Sequence, residues 1–221
     1  MDSRLKKWVR WLKVVHDDIQ QLLIKRNIFW EVQDIIRTNG ELHKPSSFYS
    51  YLGDTYVAYI SIGIRRQIKI DKQSISFARL LTDLANTPAV LSRKYYVSLY
   101  KGSTVEQFAD RDFDRFCGSD KACISPDMVI ADLGELNRAA SVVEDFADKR
   151  IAHHDKRQPK VLPRFEQVDS CLDVLDKLYC KFHSVFHASA MSSLMPVYQY
   201  DWKRIFTVPW LKYEEEPEGL T

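Results

Sequence analysis

Apolar side chains recur in alternating three- and four-residue steps from the start of this chain. Leu5, Trp8, Leu12, Val15, Ile19 and Leu22 make the seam of a helix that packs lengthwise on neighbours, and Ile28, Phe29, Val32, Ile35 and Ile36 carry an apolar face on to Asn39-Gly40. The pattern predicts one long helix or two in line. A second helix begins after Pro45-Ser46, where Ser46 or Ser47 can cap it. Its expected buried face is Phe48, Tyr51, Leu52, Tyr59 and Ile62, and it ends near Ile70, beyond the Arg65-Arg66 pair. Ser74 or Ser76 opens a short helix through Leu80, Leu81 and Leu84 that stops at Asn86-Thr87-Pro88. Residues 93–115 read as short helical pieces in a connecting region.

Ser125-Pro126-Asp127 places a cap, a proline at the first turn and an acidic residue that favours the helix dipole, in that order. The spacing predicts a helix from about Pro126 to His154. Val129, Leu133, Leu136, Ala140, Val143 and Ala147 form its core stripe, and further steps of three and four reach Arg150 and His154, which should therefore continue the core face. His153 falls on a neighbouring stripe with Met128, Ala139 and Phe146, an arc wide enough to face both its own bundle and a partner. After Pro159 and Pro163, a last helix from about Arg164 to Ala188 buries Phe165, Val168, Leu172, Leu175, Leu178, Phe182 and Val185.

Only 7 glycines and 8 prolines interrupt these runs. The fold expected is all-α, an up-and-down bundle of about four long helices with short accessory helices. A helical domain over 1–190 precedes a segment over 191–221, in which Tyr198, Trp202, Phe206, Trp210 and Tyr213 form an aromatic strap across the bundle ahead of an acidic tail; a dimer contact is the alternative. Basic and acidic residues nearly cancel, 32 against 30, so any nucleic-acid contact must come from a local patch. Cys117, Cys123, Cys171 and Cys180 have neither zinc-ribbon nor redox spacing and read as reduced thiols, with no metal or cofactor called for. The basic N-terminus is interrupted by charge too often for a signal peptide or membrane span, so the expected location is cytoplasmic, away from membranes.

The densest chemistry is Lys149-Arg150-Ile151-Ala152-His153-His154-Asp155-Lys156-Arg157. An arginine three and four residues before two imidazoles brings fixed positive charge and a group titrating near neutral pH onto one helix surface, which suits a phosphodiester. A helix C-terminus also favours protonated imidazole, by about 0.3–1 kcal/mol at an exposed position. The same residues have a purely structural reading, since basic groups in a last turn satisfy free carbonyls. Elsewhere, His183 and His187 stand at metal-ligand spacing, but no third ligand is signalled and a surface role is favoured. Trp8 and Trp11 with Lys6, Lys7 and Arg10 form a basic aromatic stretch in which packing is the stronger reading for Trp8.

The long helical hairpins, the Arg65-Arg66 stretch followed by Ser74-Ile75-Ser76-Phe77-Ala78-Arg79-Leu80-Leu81, and above all Lys149 through Asp155 resemble the HEPN superfamily (higher eukaryote and prokaryote nucleotide-binding), in its abortive-infection AbiU-type branch. The likeness covers most of residues 10–190. It implies a helical bundle, often a symmetric homodimer, and in many members a metal-independent endoribonuclease of defence or toxin type, some with an antitoxin partner. His153 and His154 would then act as acid and base, Arg150 and Lys149 would hold phosphate, and Arg65, Arg66 and Asp155 would support RNA binding. The superfamily pattern sets an arginine a few residues before the histidine. Here His153 in the catalytic place puts Asp148 at the arginine position, His154 puts Lys149 there, and Arg150 lies one or two places off. The rival reading is a non-catalytic RNA-binding or regulatory module.

Overall fold

The computed structural model describes residues 2–152 and 155–211. Seven α-helices occur among them: α1 Ser3–Thr38, α2 Ser47–Ile68, α3 Phe77–Asn86, α4 Arg93–Ser98, α5 Ala109–Cys117, α6 Pro126–Phe146 and α7 Phe165–His187. Short 3-10 turns fill several connections, and the only β pairing among the described residues is a bridge between Ser92 and Cys123.

Side-chain caps set where these helices begin. Asp2 accepts from the Arg4 and Leu5 amides, Ser46 from Phe48, Ser76 from Arg79 and Ser125 from Met128, each satisfying a donor that the first turn leaves free. The N-terminal seam is one continuous helix, with Leu5, Trp8, Leu12, Val15, Ile19 and Leu22 all buried.

Cross-helix partners give the topology. Asp18 meets Arg66 and Phe29 stacks on Tyr56, so α1 and α2 run antiparallel. Lys69 meets Glu144 and Arg65 meets Asp148 across α2 and α6. Asp132 meets Lys181 and Glu135 meets Lys177 across α6 and α7. Arg26 meets Asp173 and Trp8 packs edge-on to Phe186 across α7 and α1. Each long helix is antiparallel to the next around a closed ring, which is the expected up-and-down bundle. The short helix α3 plugs one side through Phe77, Leu80, Leu81 and Leu84, all fully buried.

The buried face of α2 differs from the sequence expectation. Tyr56, Ile60, Gly63, Ile64 and Ile68 are buried, whereas Phe48, Tyr51 and Tyr59 are exposed. The cause is the close approach of α1 at Gly63: a Cβ there would run into the Leu22 side chain, so the glycine faces α1 and the rest of the helix turns with it. Tyr51 and Tyr59 line a slot between α1 and α2 with Phe29 and Val32, where Lys25 lies 4.6 Å from the Tyr59 ring centre.

After α7, Leu194 is buried in the core and its amide donates to Asp176, while the Leu194 carbonyl accepts from Gln20. Farther on, Lys203 pairs with Glu31 of α1 and the rings of Trp202, Phe206 and Trp210 follow one another at 6.2 and 6.0 Å. Tyr213 and the acidic tail lie outside the described residues.

Candidate functional site

The α-helical part of α6 stops at Phe146, not near His154. Residues Ala147–Ile151 form a π-helical turn, in which the Ala152 amide donates to the Ala147 carbonyl at 2.8 Å. The Asp155 amide then donates to the Lys149 carbonyl at 3.2 Å. A π turn fits an extra residue into each rotation, so a stripe projected at α-helical spacing loses its phase there. Val129, Leu136, Ala140, Val143 and Ala147 are buried as the stripe requires, but Arg150 is exposed and does not continue the core face. His154, expected to continue it with Arg150, and His153 lie outside the described residues.

Two cations, Arg65 of α2 and Lys69 just past its end, hold this turn. Arg65 donates through Nε to Asp148 Oδ1, and Lys69 Nζ lies 2.9 Å from Asp148 Oδ2 and 2.7 Å from Glu144. Burial pushes the Asp148 carboxyl up, but the hydrogen bonds from Arg65 and Lys69 together outweigh it and hold the group below its usual range. Burial likewise pulls Lys69 down, and its bonds to Glu144 and Asp148 more than restore it. The Asp148 carboxylate thus receives an arginine from another helix.

The remaining sequence candidates separate by partner. Lys149 lies 2.6 Å from Asp145, one helical turn back, and is mostly covered. Asp155 is taken up by Arg157, whose amide, Nε and Nη2 all donate to it, and these bonds hold the carboxyl well below its usual range. Arg66 points the other way, to both oxygens of Asp18 on α1 at 3.1 and 3.2 Å. The Arg65-Arg66 pair is therefore split between two faces of α2. Arg150 and Lys156 are the cluster's cations that stand exposed without a carboxylate partner among the described residues.

Beside the turn, Ser141, Glu144, Asp145, Asp148, Lys160 and Val161 line a cleft of about 480 Å³, and the Lys160 amide donates to Asp145 at 2.9 Å. The cleft wall is a set of carboxylates, each of the three neutralised by Arg65, Lys69 or Lys149. Such an arrangement fixes the backbone around Arg150 without offering a large positive field.

No family model, curated protein or solved structure matches this chain. No helix among the described residues is long and apolar enough to cross a membrane. Nor, among those residues, do three His, Cys, Asp or Glu side chains come together in a way that could hold a metal ion.

The sequence reading missed a second gathering of titratable groups. His16 of α1 joins His183 and His187 of α7 along one groove, with Arg10, Lys13 and Asp17 beside them. Only the His183–His187 spacing was visible in the sequence, because the third imidazole comes from the opposite end of the chain. The basic aromatic stretch near the N-terminus is, by contrast, dispersed: Trp8 is fully buried, and Lys7 is shared between the Trp11 ring and Asp83. All four cysteines are free, and burial pushes the Cys171 thiol up to about 12 and Cys180 to about 11, far from thiolate reactivity.

Proposed function

We propose that this chain is a HEPN-like, metal-independent endoribonuclease of defence or toxin type, acting in the cytoplasm as a homodimer. The observation that supports the reading is the π turn at Ala147–Ile151, clamped by Arg65 and Lys69, which leaves Arg150 exposed immediately before His153 and His154 in the chain. One histidine accepts the proton of a ribose 2′-hydroxyl and the 2′-oxygen attacks phosphorus. The bond to the 5′-oxygen breaks, and that oxygen takes a proton from the second imidazole, of the same subunit or its two-fold mate. Arg150 binds the non-bridging oxygens as charge builds on them. Lys149 stands next to it, with Asp145 as its resting partner.

One observation favours a second reading, a non-catalytic RNA-binding or regulatory module, alone or with an antitoxin. Arg65, Lys69 and Lys149 are each already matched by a carboxylate, which leaves only Arg150 and Lys156 of the local cations for phosphate. The test is incubation of structured and single-stranded RNA with purified protein in chelator, for wild type, Arg150→Ala, His153→Ala, His154→Ala and the double histidine variant. Cleavage lost in the double variant supports the nuclease. RNA retained on the protein without cleavage selects the module, and cleavage unaltered by all variants removes the site.

A further inference from the structure

The groove between α1 and α7 lies on a different face of the bundle from the π turn, which sits where α2 meets α6. Its volume is about 410 Å³, within the range of small-ligand sites. His16 Nδ1 lies 2.9 Å from Asp17 Oδ1, and His183 Nδ1 lies 3.3 Å from the Ser189 carbonyl. A carboxylate and a carbonyl only accept, so both Nδ1 atoms carry hydrogen, and in each ring Nε2 is the nitrogen left for a ligand. His187 stacks beside His183 with ring centres 4.8 Å apart. Arg10 and Lys13 are exposed and have no carboxylate partner among the described residues. The floor is Tyr179, whose ring lies 5.7 Å from that of His16 and 6.1 Å from that of His183, and whose hydroxyl is turned away to the Leu12 carbonyl.

We infer that this groove binds the phosphate ester of a nucleotide, with Arg10 and Lys13 as its donors, joined by the Nε2 atoms of His16 and His183 when those rings are protonated. Phosphate presents oxygens in several directions and so suits donors arriving from two helices, whereas a carboxylate offers two in one plane. The imidazoles do not converge as a metal ligand set. Val9 and Met191, partly exposed along the groove, give the base or ribose an apolar surface to rest on. Binding strengthens as pH falls, because each imidazole then adds a donor and a charge. The charged and titratable groups facing the ligand are Arg10, Lys13, His16 and Asp17 from α1 and His183 and His187 from α7. Of these only Asp17 opposes binding, and it is engaged with His16. Burial and the charge of His183 hold His187 below the ordinary imidazole range.

The inference does not rest on the ribonuclease reading, and its test leaves the π turn untouched. Imidazole NMR signals of the intact chain are followed during titration with a ribonucleoside 5′-monophosphate, a diribonucleoside monophosphate and the uncharged ribonucleoside. Saturable shifts of His16 and His183 are expected with the phosphorylated probes and not with the nucleoside. The tighter of the two probes tells whether a terminal monoester or an internal diester is the natural group. Diester affinity should rise as pH is lowered, the probe's own charge staying constant. Arg10→Gln with Lys13→Gln, both at exposed positions, should weaken it by at least about tenfold without changing the melting temperature. Absence of saturable shifts with both phosphorylated probes, equal binding of the nucleoside, or unchanged affinity in the double variant overturns the inference.

Discussion

Arg65 of α2 and Asp148 of the π turn are 83 positions apart in the chain and meet as a direct ion pair, with Lys69 on the other oxygen of the same carboxylate. The geometry of the last turn of α6 is thereby set by a neighbouring helix. Replacing Asp148 by Asn keeps the shape and removes the charge that holds both cations. The pair is about one-third exposed, so screening reduces its worth. The expected loss is roughly 1–2 kcal/mol in urea unfolding, with faster amide exchange at Ala152 and Asp155.

The acid response of this clamp has a definite sign. The folded Asp148 pKa lies below its ordinary value of 3.8, so its contribution is fully present above that value and is lost as pH falls through the depressed one. Stability differences between wild type and Asp148→Asn, measured by urea unfolding, should be constant from pH 5 to 8 and shrink at pH 3 and below. A difference that grew on acidification would show that the pair does not hold the turn.

Asp132 sits on the buried stripe of α6 and meets Lys181 of α7 at 2.7 Å. Lys181→Met strands a buried carboxylate and should cost about 2–3 kcal/mol, whereas the double change Asp132→Leu with Lys181→Met should recover to within about 1 kcal/mol of wild type. Equal losses in the single and double variants would show that Asp132 does not need its partner.

Arg93 gathers the accessory helices. Its guanidinium reaches the Lys121 and Asp110 carbonyls at 2.8 and 2.9 Å and Asp114 at 2.6 Å, and lies 5.1 Å from the Phe113 ring centre. A lysine cannot make this fork, so Arg93→Lys should destabilise by about 1–2 kcal/mol. Hydrogen exchange should localise the change to α4, α5 and the Ser92–Cys123 bridge, leaving the four-helix ring protected.

What could be read from the sequence was whatever depends on local spacing. The seam from Leu5 to Leu22 and the cap Ser125 need only near neighbours and lie where the pattern put them, and the structure selects Ser46 over Ser47 and Ser76 over Ser74 as caps. The face of α2 did not follow, because aromatic residues rank as core formers on hydrophobicity alone while the actual contact is made through Gly63, which carries no hydrophobic signal. Residues 93–115, which carried only weak helical pattern, are organised by the long-range fork of Arg93. The π turn escaped for a related reason: the cations that meet Asp148 within it, Arg65 and Lys69, come from a distant part of the chain. The His16–His183–His187 groove likewise exists only once α1 and α7 are antiparallel.

The central claim is tested most directly by the ends of the RNA fragments. In chelator, wild-type protein should leave 2′,3′-cyclic phosphate and 5′-hydroxyl ends, and His153→Ala with His154→Ala should leave the RNA intact. Fragments bearing 5′-phosphate, or the same cyclic ends at undiminished rate from the double variant, would contradict the account.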